Sequence, residues 1–357
     1  MKEIFVFGAG ASNASSNPPL TYAPLGKELV WNYYNDCSDL IPEKGGIPDL
    51  REEDIRFADY RKFIEMVGND CPILKPLVEE WEKRGYRGFD PSGYLNKTLY
   101  VDELLKIFYE KGNKDAIELT RKLISKHIVG VKYADSSSDE LYNEFIKKVL
   151  KDKLPEDITT FSFNFDLLLH EDYDCNISFD YHMPFDWVEP VRDQVYRKGK
   201  VFPLLKLNGS LDWGICQCCG QIHLYFHHMK EDFYDKQECK RDGCKGNVSP
   251  FIIIPHQQGN GKLKGLWSKA QEALREAHKI TVIGYSFPDY DTVTRELFRD
   301  NMNRDIVLEV IDYCSDPNDA GVGEKIKAKY HKMFQGLTKG TSVRLCGFYR
   351  YLSNLKS

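Results

Sequence analysis

No stretch of this chain approaches the roughly 20 consecutive apolar residues that a bilayer-crossing helix needs, so no membrane span is expected. Charge of one sign is not in excess: 49 Lys and Arg against 54 Asp and Glu leave a formal net charge of −5. That balance gives no support for broad attraction to nucleic acid or to a membrane surface. There is no internal repeat, collagen-like period or disordered tail, which removes repeat and fibrous architectures. The opening MKEIFVFGAG is apolar only briefly before a Gly-rich turn and has no cleavage-site pattern. It reads as a first strand rather than a signal peptide.

What is present is the composition of a soluble globular protein, 42% hydrophobic and 29% charged, in 357 residues. That length can bury a substantial core and suits about two domains. The ten cysteines are unevenly placed. Cys216 and Cys219 form a Cys-x-x-Cys pair, and Cys239 with Cys244 forms a second. Cys37, Cys71, Cys175, Cys314 and Cys346 are scattered, and Cys218 sits inside the first pair. The pattern suits a reducing compartment with one metal site, so a cytoplasmic location is expected.

Several short, nearly continuous apolar runs end in glycine or a polar residue, as strands covered on both faces do. They are Lys2 to Gly8, Ile158 to Asn164, Phe202 to Gly209, Pro250 to Pro255, Lys279 to Ser286 and Ile306 to Asp312, with Ser342 to Phe348 as a further candidate. Helical periodicity separates the later runs, over Leu266 to His278 and Thr292 to Met302, the latter with Asp291 as N-cap. Strand alternating with helix predicts an α/β fold with a doubly wound, mostly parallel, Rossmann-like sheet. About 150 residues separate the first two strands, far more than one crossover helix needs. Most of them read as helix: Phe57 to Arg84, Tyr94 to Glu110, and a face of Leu141, Tyr142, Phe145, Ile146 and Val149 behind a Ser137–Glu140 capping box. Asp36 to Asp54 and Asp135 to Ser138 read as loops. The expected domains are a Rossmann-like unit of residues 1–24, 156–213 and 250–357, a helical insertion of 25–155, and a small zinc-ribbon module of 214–249.

Five segments carry candidate chemistry. The GAGAS turn, Gly8 to Ser12, directly follows a strand, where glycines let backbone approach a pyrophosphate; a tight turn without a ligand is equally compatible with it. The four paired cysteines, Cys216, Cys219, Cys239 and Cys244, present two short knuckles that can close a thiolate tetrahedron around zinc. A closed set of four leaves no open coordination position, so the metal is expected to be structural. Cys218, His223, His227 and His228 are alternative donors. A Cys-x-x-Cys followed so closely by His-x-x-x-His is too compressed for a finger-type site, and those histidines are read as surface residues. Asn164 and Asp166 close a strand in FSFNFD, at the edge where open α/β sheets bind ligands, although taken singly a capped strand end is the favoured reading. Gly284, Tyr285 and Ser286 end another strand, and Asp312 ends the next, placed to meet a ribose or adenine or else to serve as turn residues.

The order of these segments resembles the sirtuin family, in particular its bacterial sirtuin-like branch. GAGAS, PLGKEL (Pro24 to Leu29), FNFDLLL, LKLNGSLDW, the cysteine pairs, ITVIGYSFPDYD and EVID follow one another in the family's order and cover most of the chain. GIPDLR at Gly46 to Arg51 echoes a family motif but lies too far from GAGAS to count. The resemblance implies NAD+ in a cleft between the nucleotide-binding domain and the zinc module. Gly8, Ala9, Gly10 and Ser12 would surround its phosphates, Asn164 and Asp166 the nicotinamide ribose, and Gly284 and Ser286 the adenosine side. Family chemistry breaks the bond between nicotinamide and ribose; an acyl-lysine attacks in deacylases, water in the bacterial defence branch.

Asn208 stands where the family has its catalytic histidine, in LNGS rather than LHGS. Histidine acts there as a general base, and an asparagine side chain cannot take up a proton usefully. Asp166, His170, His182 and Asp212 are the titratable residues near these motifs. The leading expectation is an NAD+ glycohydrolase lineage serving antiphage defence, with Asn164, Asp166 and Asn208 at the reacting centre. The alternatives are a non-catalytic NAD or ADP-ribose sensor or scaffold, and an NAD-dependent deacylase. A homo-oligomer or protein activator is a further partner expectation, and Trp31, Tyr33 and Tyr34 are read chiefly as core packing.

Overall fold

The computed structural model describes residues 1–13, 101–134, 140–167, 169, 175–189, 199–225, 237–253, 261–313 and 320–355, with single helical positions at 62, 65, 66, 70, 75, 79 and 83. The calls on Trp31, Tyr33, Tyr34, PLGKEL, GIPDLR, Ser137, His170, His227 and His228 lie outside the described residues, as do the two loops read at 36–54 and 135–138.

The main sheet is wholly parallel. Its strands are β1 (Glu3–Phe7), β2 (Ile158–Ser162), β3 (Ile177–Asp180), β5 (Lys200–Lys206), β9 (Lys279–Ile283), β10 (Val307–Ile311) and β11 (Gly340–Arg344). They lie in the order β11-β10-β9-β1-β2-β5-β3. Leaving aside edge strand β3, this is the doubly wound Rossmann order, reversing direction on either side of β1. The apolar runs form strands because both faces are covered. Phe5 and Phe7, two residues apart on β1, point to one face and pack on Phe145, at 5.0 Å each. Phe348 closes the same cluster, 5.7 Å from Phe7. These rings belong to helix α4 (Glu140–Phe145), continued by a π-helical turn at Ile146–Leu150, and to the C-terminal helix α8 (Gly347–Ser353). On the opposite face Phe161 of β2 meets Phe298 of α6 (Thr292–Asn301), which also touches Phe287. Beside α6 lies α5 (Lys264–Glu276), and α7 (Ala320–Phe334) joins β10 to β11. Asp291 caps α6 as read from sequence, its side chain accepting from the Thr294 amide at 3.1 Å.

After α1 (Ala9–Asn13), the long insertion between β1 and β2 includes the helices α2 (Val101–Glu110) and α3 (Lys114–Ala134). Asn113 starts α3, its side-chain oxygen accepting from the Ala116 amide at 3.0 Å. Helix α3 lies against β8, so the insertion reaches the smaller sheet.

That smaller sheet is mixed: β4 (Trp187–Val188), β7 (Ile222–Leu224), β6 (Gly209–Cys216) and β8 (Val248–Ile252), in that order. One sequence expectation is corrected here, and one strand is added. The run Pro250 to Pro255 was assigned to the parallel sheet, but Pro250 and Phe251 pair antiparallel with β6. GSLDWGIC, unassigned from sequence, forms the eight-residue β6. Gly209 makes the transfer between sheets. It has φ +82°, and a β-carbon there would collide with the Phe251 carbonyl, so only glycine fits.

Candidate functional site

The carboxyl ends of β1 and β9 lie side by side at the point where strand order reverses, and their loops interlock through backbone. Gly8 donates to the Ile283 carbonyl at 3.0 Å, and Gly10 to the Gly284 carbonyl at 2.9 Å. A β-carbon on Gly8 would sit 2.5 Å from Tyr285 Cα, and one on Gly284, at φ +64°, would run into the Ala11 amide. The glycines of GAGAS and IGYS thus permit contact between two loops of the protein itself.

The β2 end joins this pair. The Asn164 side-chain amide donates to the Gly8 carbonyl at 3.0 Å, and the Phe163 ring stacks on Tyr285 at 4.3 Å with 12° between planes. The β5 end joins it in turn, because Asn208 Nδ2 donates to the Phe163 carbonyl at 3.2 Å. Gly8, Asn164, Asn208 and Gly284, which lie far apart in sequence, therefore form one connected constellation. Asn164, Asp166 and Asn208 are all buried. Ala9 and Gly10 open α1 half-buried, Ser12 lies in the same helix, and Ser286 is exposed just past Tyr285.

Sequence reasoning missed how firmly the FNFD segment is held. Leu207 donates to the Ser162 carbonyl and Leu211 to that of Phe165, each at 3.0 Å. The Lys206 ammonium, almost wholly buried, donates to the Asp166 carbonyl. A lysine closing the otherwise apolar run FPLLKLNG was the available signal, since such residues are buried only with partners.

Asp312 ends β10 as expected. Its carboxylate accepts from the Tyr313 amide at 2.8 Å and the Tyr330 hydroxyl at 2.7 Å, and that same hydroxyl lies 3.1 Å from the Tyr285 carbonyl. Burial and the nearby Asp312 hold the Tyr330 hydroxyl far above its ordinary range, and burial with Asp291 does the same to Tyr285. Tyr285 donates to Asp291, so the N-cap of α6 also anchors the site loop. Phe287, fully buried, adopts φ 46°, a left-handed conformation uncommon for a bulky residue. Asp212 is buried and accepts from the Tyr181 hydroxyl at 3.0 Å, whereas His182 is half-buried beside Asp180.

The four paired cysteines converge as their spacing predicts. All four sulfurs lie within 4.8 Å of one another, Cys216 to Cys244 at 3.7 Å and Cys219 to Cys239 at 3.5 Å. Zinc–sulfur bonds of about 2.3 Å in a tetrahedron require sulfur separations near ~3.8 Å, so the set fits a structural zinc ion. Gly246 allows the knuckles to close, since a β-carbon there would lie 2.7 Å from Cys216 Sγ. The Gln221 backbone amide pulls the Cys219 thiol down to about 6, while burial pushes Cys239 up to about 12. Cys218 is exposed on the turn, outside the cluster. His223 requires a correction: it is fully buried rather than on the surface, with Nε2 3.7 Å from Cys239 Sγ.

No protein-family model and no curated protein matches the chain. Solved structures do. One, described as Sir2Tm bound to a propionylated peptide, is 12% identical over 99% of this chain and 90% of its own, with a TM-score of 0.41. Another, a mutant of Sir2 homologues in complex with 2'-O-acetyl ADP ribose, is 11% identical over 94% and 93%, with a TM-score of 0.40. A third, a Sir2 homolog–NAD complex, is 13% identical over 72% and 86%, with a TM-score of 0.36.

Proposed function

We propose that this protein is a sirtuin-like NAD+-binding protein of NAD+ glycohydrolase lineage, serving bacterial defence against phage. The carrying observation is the convergence of four strand-end loops, at Gly8, Asn164, Asn208 and Gly284, on the reversal point where doubly wound sheets bind dinucleotides. In this reading the turn from Gly8 through Ser12 receives the pyrophosphate, and Gly284, Ser286 and Asp312 flank the adenosine. Asp312 retains acceptor capacity beyond its bonds to Tyr330 and Tyr313, because an ionised carboxylate offers about four lone-pair sites. Asn164, rigidly tied to Gly8, positions the nicotinamide ribose or the attacking water, and Asp166 stands beside it. The reaction yields ADP-ribose and nicotinamide.

One observation favours a second reading, a non-catalytic sensor of NAD+ or ADP-ribose. Asn208, which the resemblance puts where the family has its general base, has its amide bonded to the Phe163 carbonyl, and an amide accepts no proton at neutral pH. The deciding experiment compares purified wild type with Asn208→His for NAD+ binding by calorimetry and for nicotinamide release by chromatography. Turnover by wild type supports the hydrolase. Binding without turnover, with turnover gained in the histidine variant, selects the sensor. Absence of binding overturns both, and O-acetyl-ADP-ribose formed only with an acetylated peptide would instead reveal a deacylase.

A further inference from the structure

The four-cysteine cluster has a neighbour that its ligand count does not use. His223 lies on β7, opposite Gly214 of β6, and is completely shielded from solvent. Tyr225 stacks against it at 6.0 Å with 16° between planes, and Trp187 leans on it at 5.6 Å. Its Nε2 faces Cys239 Sγ at 3.7 Å, and its Nδ1 is buried with no hydrogen-bond partner among the described residues. A buried imidazole with one partnered nitrogen has two tautomers of unequal cost. A buried N–H without an acceptor is rarer and costlier than a buried lone pair without a donor. The favoured arrangement therefore places the proton on Nε2, aimed at the sulfur, and leaves Nδ1 as a bare lone pair.

That arrangement answers a need of the cluster. Four thiolates around one divalent ion leave a net charge of about −2, which N–H donors to sulfur offset. Backbone already supplies some: Arg241 donates to Cys239 Sγ at 3.4 Å and Cys219 to Cys216 Sγ at 3.5 Å. We propose that His223 is a side-chain donor to the metal-bound Cys239 thiolate, a positioning residue that orients this sulfur and strengthens zinc binding without ligating the ion. The inference rests on the reading that the four cysteines hold zinc.

The test uses the full-length, zinc-loaded protein. Long-range proton–nitrogen correlation of the histidine rings should show the His223 proton on Nε2; a proton on Nδ1 overturns the assignment without any mutant. Competition with a chromophoric chelator should show His223→Phe binding zinc about 10- to 100-fold more weakly, as loss of such partners generally does. His223→Gln, whose amide still donates, should recover most of that loss. Cobalt substitution should shift the sulfur-to-metal charge-transfer bands in His223→Phe. Wild-type affinity with unshifted bands in that variant would refute the role. Wild type retaining no zinc at all would instead remove the four-cysteine reading beneath it.

Discussion

The Asn208 side chain donates to the main-chain carbonyl of Phe163 across 3.2 Å, tying the end of β5 to the end of β2 inside the core. A histidine here would present an N–H to the same carbonyl while adding a titratable nitrogen. Asn208→Ala removes the donor and leaves a buried carbonyl in need of one, at a cost of about 1–3 kcal/mol. Denaturant unfolding is expected to show that loss for alanine and little for histidine. In parallel, Asn208→His is expected to raise nicotinamide release about 100-fold or more, the usual contribution of a general base.

Gly284→Ala tests whether the interlocked loops organise the site. The substitution imposes a left-handed conformation on a residue with a β-carbon and drives that carbon into the Ala11 amide. A destabilisation above about 2 kcal/mol is expected, together with loss of NAD+ binding. A variant with unchanged melting temperature and unchanged binding would contradict this packing.

Removing the metal should unfold the smaller sheet selectively. Cys216 ends β6 and the other three sulfurs close around it, so chelation frees the strand that carries Trp213. Tryptophan emission is expected to shift red under a strong chelator, and the unfolding transition to split or fall. Cys219→Ser should reproduce the effect without chelator, and Cys218→Ser should not.

Alkaline pH offers a check on the buried tyrosines. Tyr285 and Tyr330 have hydroxyl pKa values raised in the fold, by burial first and then by Asp291 and Asp312 respectively. The unfolded chain releases these protons near pH 10 while the folded chain keeps them, so the folded state binds more protons above that pH. Stability is therefore fully present below about pH 10 and falls as pH rises beyond it. Tyr330→Phe should reduce the steepness of that fall in pH-dependent denaturation, although it also forfeits the bond to Asp312.

Much of the parallel sheet was legible because strands covered on both faces must be apolar throughout, and β1, β2, β9 and β10 each appear as such a run. Periodicity says nothing about which sheet a strand joins, and that is why Pro250 to Pro255 was assigned to the parallel sheet. Strand β6 carries glycines and Asp212 within eight residues, so it lacks the continuous apolar run of the parallel strands, yet it leads from one sheet into the other. His223 was read as surface because a His-x-x-x-His so close behind a Cys-x-x-Cys is too compressed for a finger-type site. Only its position on β7, turned toward Cys239, buries it.

The amino-acid order by itself determined the alternation of strand and helix and the paired cysteines, because each depends on residues close together along the chain. Tertiary structure alone decided that Gly8, Asn164, Asn208 and Gly284 meet, that Lys206 is buried beneath Asp166, and that His223 faces a sulfur. Those contacts join positions tens to hundreds of residues apart. They exist because parallel strands, each pointing the same way, bring their carboxyl ends to one edge of the sheet.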